Sequence, residues 1–390
     1  MTHRRHRGGL FLAADESGHV SNGFLTSNFA TSSLKPEPLM DLSKDAAYSE
    51  KTPYDLWQET EGIPIVRGHC VEDLTSIPVT AWSRTGALGS FINLVGSGRS
   101  CGAYVCEIPP KEQSKPQRYL FEQLIYVVKG RGATTVWNDG TKKQTFEWQE
   151  GSLFSPPLNG WHQHFNVQGD ESTRFVALTD APPMINRFRN LEFIFGNNFS
   201  FTDRFSGEDG YYSGKGKEVA SHRTWESNFI PDIRDFQLKD RNQRGQGATG
   251  VRLHLSANTM SAHLEQYPPG TYPRGHRHGP GAHIVILSGE GYSFLWEEGK
   301  PRMRINWRPG SLFVPPANWF HQHFNPDNQP VRYLALKPWG FTYQVEDLSK
   351  TDQDIRTGGT QIEYKDQDPE IHEIFHAECA KRGTQVRVTI

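Results

Sequence analysis

The chain has 390 residues, enough for two globular cores. Its 42 Lys and Arg against 44 Asp and Glu leave a net charge of -2, which speaks against a field built for nucleic acid or an anionic membrane surface. With 35% hydrophobic and 12% aromatic residues, 37 Gly and 25 Pro, the composition favours short strands joined by turns, and no stretch approaches the apolar length of a membrane span.

Residues 1–50 are rich in Ser, Gly, Asn and Thr without an apolar period, and read as a solvated arm or one lying across a second subunit. Tyr54 to Trp57 suggests a short helical turn, followed by Ile63 to Val66 and further strand-like runs. Leu124 to Val128 and Ala133 to Trp137 flank Gly130 and read as a β-hairpin; Ile284 to Leu287 and Tyr292 to Trp296 do the same around Gly289. Closely spaced strands with no alternating helices point to an antiparallel sandwich or barrel. From Met184 to about Asn228, apolar clusters give way to a Gly-rich run, read as an ordered crossover that becomes a linker. Near the end, Asp368-Pro369-Glu370 caps a helix with Ile371, Ile374, Phe375 and Cys379 on one side and Gly383 at its stop. Cys70, Cys101, Cys106 and Cys379 show neither CxxC spacing nor scaffold density, so reduced thiols and a cytoplasmic protein are expected.

The two halves repeat. Pro156 to Asn166 (PPLNGWHQHFN) and Pro315 to Asn325 (PPANWFHQHFN) lie 159 residues apart, and the same offset relates Gly130 to Gly289, Trp137 to Trp296, Trp148 to Trp307 and Gly151 to Gly310. Only the second copy carries His276-Arg277-His278. The first has Gln117 and Tyr119 at those positions and keeps only His162, the counterpart of His321.

On a strand, residues i and i+2 share a face, so His276 and His278 point inward while Arg277 points out. A third imidazole, His321, from the strand after Pro315-Pro316 closes a facial metal site. His-rich nitrogen sets with open positions suit Fe, Mn, Zn, Ni or Cu. His323 shares the inner face of that strand and is the candidate catalytic proton carrier; His283 is a fourth ligand if it turns inward. Gln117, Tyr119 and His162 make a poor metal set, because amide and phenol oxygens bind weakly unless ionised.

These residues resemble the cupin superfamily. Its first motif is similar to Gly270 through His276, His278 and Gly289, and its second to Gly310, Pro316, Asn318, His321 and Asn325. Asn318 replaces the usual Gly, and the customary Glu ligand falls on Ala282, which leaves three histidines. The resemblance implies an all-β bicupin, two tandem double-stranded β-helix (jelly-roll) barrels with a few short helices. It divides the chain into an arm (1–50), a barrel with a degenerate metal site (51–195), a crossover and linker (196–228), a metal-bearing barrel (229–345) and an extension with a helix (346–390).

His-Arg-His followed by Ala at the Glu position is similar to gentisate 1,2-dioxygenase and related ring-cleaving enzymes. That similarity implies Fe(II) at His276, His278 and His321, with Mn, Zn, Ni or Cu as alternatives, O2 and a small hydroxylated aromatic acid as reactants, and a homo-oligomer. The alternatives are a redox-neutral Mn or Zn lyase, isomerase or decarboxylase with His323 as base, and a non-enzymatic binding protein. The first barrel is expected to be structural, or to hold an organic ligand by His162, His164 and Tyr119 without metal.

Overall fold

The computed structural model describes residues 51–219, 223–279, 281–340, 350 and 352–390, so the expected N-terminal arm lies outside the described residues. The repeat becomes two sandwiches, each a large sheet facing a three-stranded one. In the first, the large sheet runs in the order Ile65–Gly68, Ala87–Leu94, Gly102–Ile108, Thr173–Thr179, Gln123–Lys129, Leu153–Phe154, and the small sheet is Trp161–Asn166, Arg131–Trp137, Gln144–Gln149. In the second, Thr249–Leu255, Ser261–Tyr267, Val331–Lys337, His283–Ser288 and Leu312–Phe313 oppose Met303–Trp307, Gly291–Trp296 and Phe320–Phe324. Each core fills the space between its sheets: Ile125 and Val127 meet Val136 and Trp148, while Ile284 and Ile286 meet Leu295 and Trp307.

The two readings around Gly130 and Gly289 as hairpins are corrected here. Gln123–Lys129 pairs with Thr173–Thr179, whereas Arg131–Trp137 pairs with Trp161–Asn166 in the opposite sheet. The glycine marks the corner where the chain leaves one sheet for the other. Its φ is +84° at Gly130 and +77° at Gly289, and an added Cβ at Gly289 would lie 2.6 Å from Val331 Cγ2.

The described residues form one compact unit, because the outer faces of the large sheets pack on each other. Val105, Leu124, Val176 and Leu178 of one barrel share a core with Leu253, Leu264, Leu334 and Leu336 of the other. Thr173–Thr179 is therefore buried along its whole length, which explains the apolar run from Phe175 to Leu178. The repeats also trade strands. Cys70–Val71 extends the second barrel's sheet at Leu312–Phe313, and Phe229–Ile230, just past the boundary expected at 228/229, extends the first barrel's sheet at Leu153–Phe154. Matching bonds follow, Leu74 N to Gly310 O and Ile233 N to Gly151 O, both 2.9 Å.

Helix α1 (Pro53–Thr60) starts at a Thr52–Asp55 capping box, and Ala181–Phe188 and Leu191–Phe195 form two further short helices. The expected linker is instead packed: Tyr212 stacks on Phe146 with centroids 4.0 Å apart and donates its hydroxyl to Ser155 O. The C-terminal helix, Pro369–Arg382, starts at Asp368, ends at Gly383 with φ +66°, and buries Ile371, Phe375 and Cys379 against Tyr272, Tyr292 and Phe324. All four cysteines are free, and no helix among the described residues is long and apolar enough to cross a membrane.

Replacing Gly289 by Ala forces a side chain onto a left-handed backbone and against Val331. The expected cost is about 1–3 kcal/mol, read as a lower urea midpoint with an unchanged m-value.

Candidate metal centre

Segment 275–278 is extended and held on both edges. His276 N donates to His321 O at 3.0 Å and His321 N to His276 O at 2.8 Å; on the other side Arg277 N donates to Thr360 O at 3.0 Å and Ile362 N to Gly275 O at 2.8 Å. Alternation then sends Arg277 outward, where it bonds Glu298 at 2.9 Å and covers the Phe320 ring at 4.7 Å. Asn318 stands at φ +62°, the left-handed turn for which Asn substitutes for Gly, and donates its N–H to His278 O at 2.9 Å.

The structure brings His276, His278 and His321 together, with one candidate donor atom on each lying within 4.8 Å of the others. Ring centroids are 3.9 Å apart for 276–321, 4.6 Å for 278–321 and 5.5 Å for 276–278. Nδ1 of His278 faces the Gly279 carbonyl at 2.8 Å and Nδ1 of His321 faces that of Trp319 at 3.2 Å. Donation of Nδ1–H to those carbonyls fixes the tautomer that leaves Nε2 bare. Buried Nδ1 of His276 has no hydrogen-bond partner among the described residues. Burial holds all three rings well below the ordinary imidazole range, helped at His276 by Arg244 and at His278, lowered to about 3, by Lys337. Three neutral nitrogen donors with an orphaned buried atom fit a divalent transition ion.

The first barrel fills the corresponding space with its own side chains. Nδ1 of His162 again faces a carbonyl, Gly160 O at 3.0 Å, but its Nε2 is occupied by Tyr119 Oη at 3.1 Å and Gln123 Nε2 at 3.2 Å. Tyr119 stands where the second barrel has His278, and Gln123 where it has Ala282. Only about 30 Å³ remains there, one water's share, so the pocket in this form holds no organic ligand on His162, His164 and Tyr119.

Two other histidines lie outside the cluster. His323 is buried beneath it, its Nδ1 2.7 Å from Ser293 Oγ, which accepts from Trp307 Nε1 at 2.9 Å; it does not line the open cavity. The same trio recurs in the first barrel as His164, Thr134 and Trp148, at 2.8 and 2.8 Å. The network is present in both barrels, so it gives no sign of the catalytic role expected for His323. His283 points to the inter-barrel seam, with Nε2 3.1 Å from Ser97 Oγ and Nδ1 2.9 Å from Gly281 O, and is not a fourth ligand here.

A cavity of about 370 Å³ opens beside His276 and His278, lined by Arg241, Arg244, Arg252, His263, Glu265 and Lys337, with Trp339 as an apolar wall. Sequence reasoning missed all six. Strand register places Arg241, Arg252, His263, Glu265 and Lys337 where the first barrel has Trp82, Phe91, Tyr104, Cys106 and Thr179, which line its closed pocket. Aligning the halves strand by strand would have exposed this exchange of aromatic for charged lining. Buried Glu265 is ion-paired to Arg241 and accepts from Tyr267 and from Tyr333 at 2.8 Å. Arg244, 3% exposed, reaches Asp352 at 3.3 Å, and its Nε has no hydrogen-bond partner among the described residues. Arg252 makes no side-chain hydrogen bond among the described residues and loses part of its basicity to burial.

The chain folds as two tandem β-barrels, each a large sheet facing a three-stranded one. No family model matches it. It is similar to a 5-aminosalicylate 1,2-dioxygenase from a Comamonas species, 30% identical over 132 residues, which is 31% of this chain and a third of that relative's length (33%). It is also similar to solved structures of Bacillus subtilis oxalate decarboxylase. One, concerned with its Mn(II) centres, has 14% identity and a TM-score of 0.47 over 73% of this chain and 80% of that chain; another has 13% and 0.45 over 70% and 77%.

Two outcomes are expected. His276→Ala abolishes retention of a divalent metal in elemental analysis, whereas His162→Ala leaves the stoichiometry of wild type. For the metal-free protein, His162 and His283 titrate near 4 in the fold because burial disfavours their charged forms, against an ordinary 6.5. The unfolded chain takes up those protons first, so stability is full above pH 6.5 and falls as the pH drops towards 4. Each ring loses roughly 1–2 kcal/mol by pH 5, measured by urea unfolding across that range.

Proposed function

We propose that this chain is a bicupin, a metal-dependent dioxygenase that uses Fe(II) and O2 on a small hydroxylated aromatic acid, with His276, His278 and His321 as the metal ligands. The observation that carries the reading is the convergence of three neutral imidazoles at the wall of a cavity lined with arginine. Similarity to a ring-cleaving 5-aminosalicylate dioxygenase over part of its length supports it. Iron in such a set supplies Lewis-acid binding of substrate oxygens and the electrons that activate O2.

The chain's own residues hold and orient the acid. Arg241, Arg244 and Arg252 line the cavity together, with Arg241 paired to Glu265 and Asp352 and Arg244 to Asp352, a cluster of guanidinium groups suited to an anionic substrate. Arg244, whose buried Nε has no hydrogen-bond partner among the described residues, is the carboxylate anchor; a charge-assisted pair in a site shielded from water is the strong kind. Trp339 offers an apolar face to the ring. His263, 3.8 Å from Glu265 and kept neutral by burial and by Lys337, is the cavity imidazole able to accept a proton, the task first expected of His323.

The test is an oxygen-electrode screen of iron-loaded protein over hydroxybenzoates, with the Arg244→Ala variant beside wild type. Oxygen uptake stoichiometric with substrate loss is expected. Loss of the anchor should raise KM for the carboxylated substrate about 10- to 100-fold, the equivalent of about 1.5–3 kcal/mol, while a catechol lacking the carboxylate changes little. Turnover at full rate without O2 would replace this reading by a redox-neutral one.

A further inference from the structure

Helix Pro369–Arg382 presents His372 and His376 one turn apart on its exposed side, outside both barrels' pockets. Their Nε2 atoms face each other at 2.8 Å, with ring centroids 4.4 Å apart and planes at 70°. Residues i and i+4 are neighbours on a helix, but side chains this close with the same atom turned inward form a preset pair of donors. His372 is also fixed from behind: its Nδ1 lies 2.8 Å from Tyr272 Oη, which in turn accepts from Gln367 Nε2 at 2.8 Å. With Nδ1–H donating to the phenol oxygen, His372 Nε2 carries a lone pair outward, the arrangement in which an outer partner sets a ligating imidazole. Without a metal, one ring must give its Nε2–H to the other.

Two nitrogens at about 2.0–2.1 Å from one metal lie about 2.8–3.3 Å apart, so the hydrogen-bonded pair at 2.8 Å stands close to the spacing of a chelate, and an ion can replace the shared proton with little movement of either ring. Among divalent ions, affinity for nitrogen donors rises through Ni(II) to Cu(II) and falls again at Zn(II). We infer that His372 and His376 form a second metal site, on the surface of the C-terminal helix, that takes Cu(II) or Ni(II) as a cis bis-imidazole chelate with water in the remaining positions. The inference does not rest on the proposed dioxygenase activity.

The experiment titrates full-length protein with CuCl2 and follows bound copper by equilibrium dialysis and electron paramagnetic resonance, comparing wild type with His376→Gln and His372→Gln. Copper held elsewhere on the chain is common to all three and cancels in the difference. The expected result is the loss of one equivalent in both variants, with disappearance of a tetragonal two-nitrogen signal and an unchanged far-UV spectrum. A second comparison uses His276→Ala as background, so that the barrel site cannot supply the difference. Equal copper stoichiometry in wild type and His376→Gln overturns the inference, as does a lost equivalent whose spectrum shows no nitrogen coupling.

Discussion

Two backbone hydrogen bonds between His276 and His321 are the constraint on which the rest depends. They pair a short extended segment with the strand Phe320–Phe324, so that the imidazoles of both residues leave the backbone on one face, 3.9 Å between ring centres. Alternation brings His278 to the same face and turns Arg277 away. The extension after the barrel closes the other edge through Thr360 and Ile362, so the segment is held without belonging to a long strand. The same backbone pairing joins Gln117 to His162 in the first barrel. The scaffold for a metal therefore exists twice, and side chains decide whether it is used.

How the barrels diverged is a matter of filling. In the first, Tyr119 and Gln123 satisfy His162 directly, and Trp82, Phe91 and Tyr104 pack the space above it until about 30 Å³ is left. In the second, Ala282 withholds the group that Gln123 supplies, and charged residues replace the aromatic wall. Buried charges of this kind are unfavourable unless paired, and here Arg241 with Glu265, and Arg244 with Asp352, offset part of that cost. The guanidinium groups of Arg244 and Arg252 are what an anionic ligand would meet in the proposed function. Packing of the large sheets and the exchange of Cys70–Val71 for Phe229–Ile230 tie the filled barrel to the open one, so the former buttresses the latter.

Much of this was legible in the sequence where the signal is contiguous. His276, His278 and His321 come from two short motifs, and alternation alone puts them on one face. The duplication located both barrels, and the Asp368 cap and Gly383 stop bounded the last helix. The failures have physical reasons. A glycine between two apolar runs reads the same whether the strands pair or part into opposite sheets, so Gly130 and Gly289 were read as hairpin turns. His323 shares a face with His321, but two residues along a strand is about 6.6–6.8 Å, enough to carry it out of the metal layer and onto Ser293. The cavity charges are single residues from separate strands and loops, Arg241, Arg244, Arg252, His263, Glu265 and Lys337, and no local pattern marks them before the register is known.

The most direct measurement is anomalous diffraction at the iron edge from crystals of the iron-loaded protein. The account predicts a strong peak bounded by the imidazoles of His276, His278 and His321, and none beside His162 and Tyr119. A peak in the first barrel, or an iron site in the second that leaves out any of those three rings, would contradict it.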